Sequence, residues 1–181
     1  MRLFALSILM ASAVWALVCA PTDEFAEQIE QPEITHAIAV LHPTEGNDVR
    51  GIVYFERAET GIRIRADIEG LSRGKHGFHI HEYGDCSAED ATSAGGHYNP
   101  TDSQHGAPDD VERHVGDLGN VVADGNGVVD MEWIDATIQL NGEHSIIGRS
   151  VVVHANEDDF TTQPTGAAGP RLACGVVGVD E

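Results

Sequence analysis

Apolar and polar residues alternate along most of the chain, in short runs separated by turn formers. HAIAVLH (36–42), VRGIVYFE (49–56), GIRIRADIEGL (61–71), GFHIHEY (77–83), NVVADGNGVVDMEW (120–133), ATIQL (136–140), RSVVVHAN (149–156) and RLACGVVGV (171–179) carry the period-two or β-branched patterning of strands. Turn signals agree with this reading. Asp124-Gly125-Asn126-Gly127 lies between two apolar runs and predicts a hairpin, and Gly46-Asn47-Asp48 and Asn141-Gly142 predict further turns. No segment shows the period of a long amphipathic helix. About eight short strands without helices predict an all-β fold, an eight-stranded antiparallel Greek-key barrel or sandwich. Residues 84–116 and 155–170 break the alternation. Loops of that length in a compact β domain are usually functional.

The front of the chain differs. MRLFALSILMASAVWALVCA has a single charge, Arg2, then an apolar run ending in small residues. That is the layout of a signal peptide over residues 1–20, and a run of roughly 16 residues is short for a membrane span. The alternative is a lipid anchor at Cys19, the one route to membrane attachment in this reading. Residues 21–33, PTDEFAEQIEQPE, are acidic and contain two prolines, so they read as a flexible linker. The folded domain is then 34–181.

Removal of Cys19 leaves Cys86 and Cys174 as an even pair in an exported chain, which predicts a disulfide. It would close a loop of roughly 90 residues, about 4–5 kcal/mol in the chain-entropy account. Two buried free thiols are the alternative. The formal charge is −20, from 30 acidic and 10 basic residues, and Lys75 is the single lysine. Such a chain repels phosphates, which excludes nucleic acid as a partner, and the charge favours solubility.

Candidate chemistry gathers around histidine. GKHGFHIHEYGD (74–85) sets His76, His79 and His81 within six positions. On a strand His79 and His81 share one face, while Phe78 and Ile80 take the other. The first long loop adds His97 in GGHYNP, His105 in QHGAP, and His114 and Asp117 in RHVGDLGN. VVVHAN supplies His154. Neutral imidazole suits copper and zinc, and zinc also accepts a carboxylate oxygen. Six histidines and one aspartate are too many donors for one ordinary ion and about right for two.

GFHIHEYGD, GGHYNP, HVGDLGNV and GPRLACGVVG, in this order, resemble the signatures of the copper–zinc superoxide dismutase family, over His36 to Val179. The resemblance implies that His79, His81, His97 and His154 hold copper. His97 is shared with a zinc ion that His105, His114 and Asp117 complete. It implies that Asp158 orients His79 and His105, that Arg171 stands beside the open copper position, and that the disulfide ties the ligand loop to the strand after Arg171. The implied reaction disproportionates superoxide anion to dioxygen and hydrogen peroxide as copper alternates between Cu(II) and Cu(I). Zinc is a structural and electrostatic partner, and His97 supplies a proton. His76 falls outside the ligand set and reads as structural, with His36, His42 and His144 on the surface.

Three features depart from the family's pattern. CSAEDATSAGG before His97 is longer than in cytosolic eukaryotic members, and Cys86 follows Gly84-Asp85 directly. That resembles exported bacterial relatives and points to the periplasm, with lipid-anchored or extracellular placement as alternatives. It also puts the interface of a homodimer in doubt, because this loop helps build it in some branches. DDFTTQPTGAAG (158–169) is short and has no lysine, so guidance of the anion rests mainly on Arg171. Ala167 stands where many relatives have asparagine, which predicts a looser loop. The competing reading is a non-catalytic copper or zinc scavenger or chaperone-like module. Relatives of that kind tend to lose copper ligands or the arginine, and this chain has all of them.

Overall fold

The structure is a computed structural model that describes residues 32–180. The expected signal peptide, Cys19 and most of the acidic linker lie outside the described residues.

Eight antiparallel strands form: β1 (His36–Pro43), β2 (Arg50–Ala58), β3 (Gly61–Glu69), β4 (Gly74–His81), β5 (Asp117–Ala123), β6 (Val129–Asp135), β7 (Ser150–His154) and β8 (Arg171–Val179). Their order in space is β5-β4-β7-β8-β1-β2-β3-β6. The first three make a meander, and the chain then crosses repeatedly between the two halves, which is the expected Greek-key path. The end strands β5 and β6 face each other across a narrow opening, so the barrel is nearly closed. Among the described residues there is no α-helix, only a 3₁₀ turn at Thr92–Ala94 inside the first long loop.

Two expectations are corrected. The segment 120–133 becomes two strands joined by the Asp124–Gly127 turn, but they do not pair as a hairpin ladder, since β5 pairs with β4 and β6 with β3. The Val122 N–H accordingly points at the Met131 sulfur, 3.2 Å away, instead of a carbonyl. ATIQL is not a strand. Asp135 Oδ1 accepts the N–H groups of Thr137 and Ile138 at 2.8 and 2.9 Å and turns the chain at once. Its alternation instead serves to bury Ile138 and Leu140 in the core, and one bridge from Gln139 to Ser145 is all the pairing it has.

The interior is filled by Leu41, Val53, Phe55, Ile64, Phe78, Ile80, Val151 and their neighbours. Phe78 meets Trp133 edge-to-face, with ring centroids 5.7 Å apart. β1, β2 and β3 alternate buried and more exposed residues, as strands with one face in water should. β4 from His76 onward and all of β7 are buried on both faces. Their outer face is covered by the two long loops, and a small second core of Ala91, Ala94, Val152 and Cys174 forms there, with Cys86 against it. The disulfide forms as expected, with Cys86 and Cys174 Cα atoms 5.8 Å apart. It pins the first long loop onto β8.

Candidate metal centre

Sheet register assembles the site. His79 on β4 lies opposite Asp117 on β5, with a bulge between Gly77 and His79. His154 on β7 lies opposite Arg171 on β8, again beside a bulge, and His81 bridges to His97. Bulges re-aim side chains next to functional sites, and both fall where a ring must turn into the cluster. The alternation of β4 sends Phe78 and Ile80 into the barrel and His79 and His81 to its outer face, as expected. That face is not solvated, because the loops bury both rings.

All seven expected donors converge. His79, His81, His97 and His154 form one group, and His97, His105, His114 and Asp117 a second. Within each group one ligand atom per residue lies within 4.8 Å of all the others. His97 belongs to both.

The ring nitrogens show what the groups are for. His81 Nδ1–H donates to Gly95 O at 3.0 Å, and His154 Nδ1–H to Gly169 O at 3.1 Å. Their Nε2 lone pairs are thereby left facing each other, 3.2 Å apart. His79 and His105 each donate Nε2–H to Asp158, at 2.8 and 2.9 Å. Their Nδ1 atoms are left buried and unpartnered, as is His97 Nε2. In the second group His97, His105 and His114 aim Nδ1 at the same Asp117 Oδ1 from 2.8, 3.0 and 3.1 Å. The His105 contact is close but out of line for a hydrogen bond. Buried acceptors packed against acceptors are costly unless a cation lies between them. The residues therefore fit two metal ions, one for each group.

Further residues, which the sequence did not single out, hold these donors in place. Asn120 clamps the Asp158 backbone, its Oδ1 accepting the N–H at 2.8 Å and its Nδ2 donating to the carbonyl at 2.9 Å. Buried Arg113 pairs with Asp135 at 2.6 Å and donates to the carbonyls of His114 and Asp117 at 3.2 and 2.9 Å. Gly166, at φ +64°, leaves room for Asp158: a Cβ there would stand 1.7 Å from Asp158 Oδ1. These act through backbone contacts, which carry no side-chain motif; Gly166 alone offered a sequence signal, as a glycine in a loop beside ligands.

His76 is structural, as expected. Its Nδ1–H donates to His154 O at 2.9 Å and its Nε2 meets Ser72 Oγ at 3.2 Å, so neither nitrogen is available. His36 and His42 are exposed; His144 is half-buried rather than at the surface. Ala167 has φ 53°, a left-handed conformation that asparagine adopts more easily than alanine.

Arg171 is half-buried, and its guanidinium is tied to the carbonyls of Ala91 and Gly95, the latter at 2.6 Å. The Gly95 carbonyl also receives His81, so one peptide positions both side chains.

Charge balance follows from burial. Burial and the nearby His79 lower the His97 pKa to about 4 despite Asp117, and lower that of His154 to about 3. Burial alone would lower His105 too, but the carboxylates of Asp117 and Asp158 outweigh it and raise its pKa to about 9. The metal-free protein should therefore lose stability in both directions from about pH 6.5. Above it, the folded state still holds the His105 proton that the unfolded chain releases, and this advantage disappears as pH rises through about 9. Below it, the unfolded chain takes up protons that His97 and His154 refuse until about pH 4 and 3. Zinc binding at pH 7.5 should displace about one proton, because a ligand must be deprotonated. Calorimetry in two buffers of different ionisation enthalpy checks this, and release of none would contradict it.

A family model described as copper/zinc superoxide dismutase matches residues 49–177. The Cu-Zn superoxide dismutase A of Xenopus laevis is 50% identical over 149 residues, covering 78% of this chain and 96% of that one. An extracellular Cu-Zn superoxide dismutase of Brugia pahangi is 45% identical over 152 residues, covering 79% and 75%. A solved structure of the clock protein EA4 matches with a TM-score of 0.76 and 44% identity, over 83% of this chain and 98% of that one. The barrel, the two donor groups with their common histidine and these matches agree, and the chain belongs to the copper/zinc superoxide dismutase family.

Proposed function

We propose that the protein is an exported superoxide dismutase, holding copper at His79, His81, His97 and His154, and zinc at His97, His105, His114 and Asp117. The observation that carries this reading is the sharing of His97. Its Nδ1 faces the zinc group and its Nε2 faces the copper group, with no protein partner on Nε2.

When bound, copper supplies one-electron oxidation and reduction of superoxide, and zinc supplies charge without redox chemistry. The residues do the rest. Asp158 keeps a proton on Nε2 of both His79 and His105, so each presents Nδ1 as a lone pair. Gly95 and Gly169 do the same for His81 and His154 from the opposite ring atom. His97 Nε2 is the atom that can hold a proton and pass it to the peroxide anion, which leaves as hydrogen peroxide once it has taken up two protons. Arg171 keeps a permanent positive charge beside the copper group, where it attracts the anion and orients it.

Export rests on the apolar leader and the acidic linker, and the named extracellular relative supports it. The decisive experiment takes the mature protein from outside the cytoplasm. Metal analysis should give about one copper and one zinc per chain, and the mass should place cleavage near residue 20 or reveal acylation at Cys19. His81→Ala should abolish superoxide decay. Metal binding without turnover by the wild type would leave the scavenger reading instead.

Guidance of the anion is local. Lys75 is paired with Glu157 at 2.6 Å, so it adds little free positive charge at the rim. Charges beyond about 8–10 Å are screened at ordinary salt. The rate should therefore fall only modestly between low and physiological salt by stopped-flow assay. A steep fall would point to another positive patch.

The sheet also offers a pairing surface. Val40 on β1 and Val176 on β8 are 45% and 44% exposed on adjacent strands, forming a short apolar strip unusual on so acidic a protein. We expect a homodimer through this strip. Val176→Glu should then sediment as a monomer, and a wild type that is monomeric at micromolar concentration would refute it.

A further inference from the structure

Among the donors of the zinc group, His105 is the one without a strand or a local turn to hold its backbone. Asp117 opens β5 and pairs opposite His79, and His97 bridges to His81. His114 gives its N–H to Asp117 Oδ2 at 2.9 Å, and its carbonyl accepts Arg113. The stretch around His105 has no regular structure. Its N–H and carbonyl are nevertheless both satisfied, by a single side chain 58 residues away. Gln163 Oε1 accepts His105 N–H at 2.8 Å, and Gln163 Nε2 donates to His105 O at 2.9 Å.

From this geometry we infer that Gln163 is a positioning residue for the zinc ligand His105, a side-chain amide standing in for the strand neighbour that His105 lacks. The inference deepens the metal reading above and rests on it. Gln163 is exposed and adds nothing to the core. Fixing a long, flexible side chain costs entropy, and here both ends of its amide go to one peptide. The same short loop grips His105 at a second point, because Asp158 holds the ring at Nε2. Ring and peptide are thus located from one segment.

Despite Ala167, that segment is held by hydrogen bonds of its own. Asp159 Oδ1 accepts the N–H groups of Thr161 and Thr162 at 2.9 and 2.8 Å, and Gly166 N–H donates to Thr162 O at 2.7 Å. Gln163 therefore projects from a defined turn. With ring and peptide both fixed, His105 Nδ1 has little freedom to swing away from Asp117. A zinc ion then meets a donor already in place instead of one it must order.

The test measures zinc affinity of the metal-free full chain by competition with a chromophoric chelator. It adds the absorption spectrum of cobalt(II) as a probe of the same group, and copper affinity as the control. Gln163→Ala should weaken zinc binding about tenfold and alter the cobalt spectrum, with copper affinity within about twofold of wild type. Gln163→Asn, one methylene too short to reach both groups of the peptide, should behave like the alanine variant. Zinc affinity unchanged in both variants would overturn the inference. So would an equal fall in zinc and copper affinity, which is what a general loosening of the loop would give. A wild type that binds no zinc would overturn the metal reading as well.

Discussion

Lone pairs face lone pairs at the loop-covered side of this barrel, and the rest of the structure is arranged around that fact. Two main-chain carbonyls and one carboxylate take the available protons of four imidazoles, on the sides away from the cluster. What remains inside is a set of buried acceptors, three of them without any protein partner. Such an arrangement is unfavourable by itself and favourable with cations, so affinity for metal is built in by the protein's own hydrogen bonds.

Holding that arrangement requires rigidity from elements that lack a ladder of their own. The barrel supplies it directly for β4, β5 and β7, whose register sets His79, Asp117 and His154. The loops obtain it by other means. The disulfide fastens the first loop to β8, and a small apolar cluster seals the contact. Elsewhere the solution is repeated: an amide side chain takes both the N–H and the carbonyl of one residue. Asn120 does this for Asp158 and Asn141 for Ile34, and Gln163 does it for His105. Each amide replaces a missing strand partner, and two of the three act on the candidate site.

Strong negative charge and an anionic substrate are compatible because distance and screening make the far charges weak. In the proposed reading Arg171 stands close to the anion; it is fixed by the carbonyls of Ala91 and Gly95, and the Gly95 carbonyl also fixes His81. The geometry at Gly95 couples the placement of Arg171 to that of His81, so disturbance of that loop should be felt by both.

The amino-acid pattern alone determined the strand content, because a strand's period is two and the burial of one face writes that period into the residues. It also pointed to the seven donors, because a His-x-His pair on a strand, three histidines crowded into one long loop and a further strand histidine are together more than scattered surface residues would give. It did not determine which alternations become strands: ATIQL has the pattern, yet Asp135 turns the chain and the residues plug the core instead. Nor could it show that the His79–His81 face is buried, since what covers that face is a pair of loops whose paths the alternation does not encode. Asn120, Arg113 and Gln163 were illegible for the same reason. They act on main-chain groups, of other segments for Asn120 and Gln163 and of its own segment for Arg113, and a main-chain hydrogen bond places no demand on the identity of the residue receiving it. Only the tertiary structure, by fixing register and loop closure, decided which nitrogen of each ring was left without a proton.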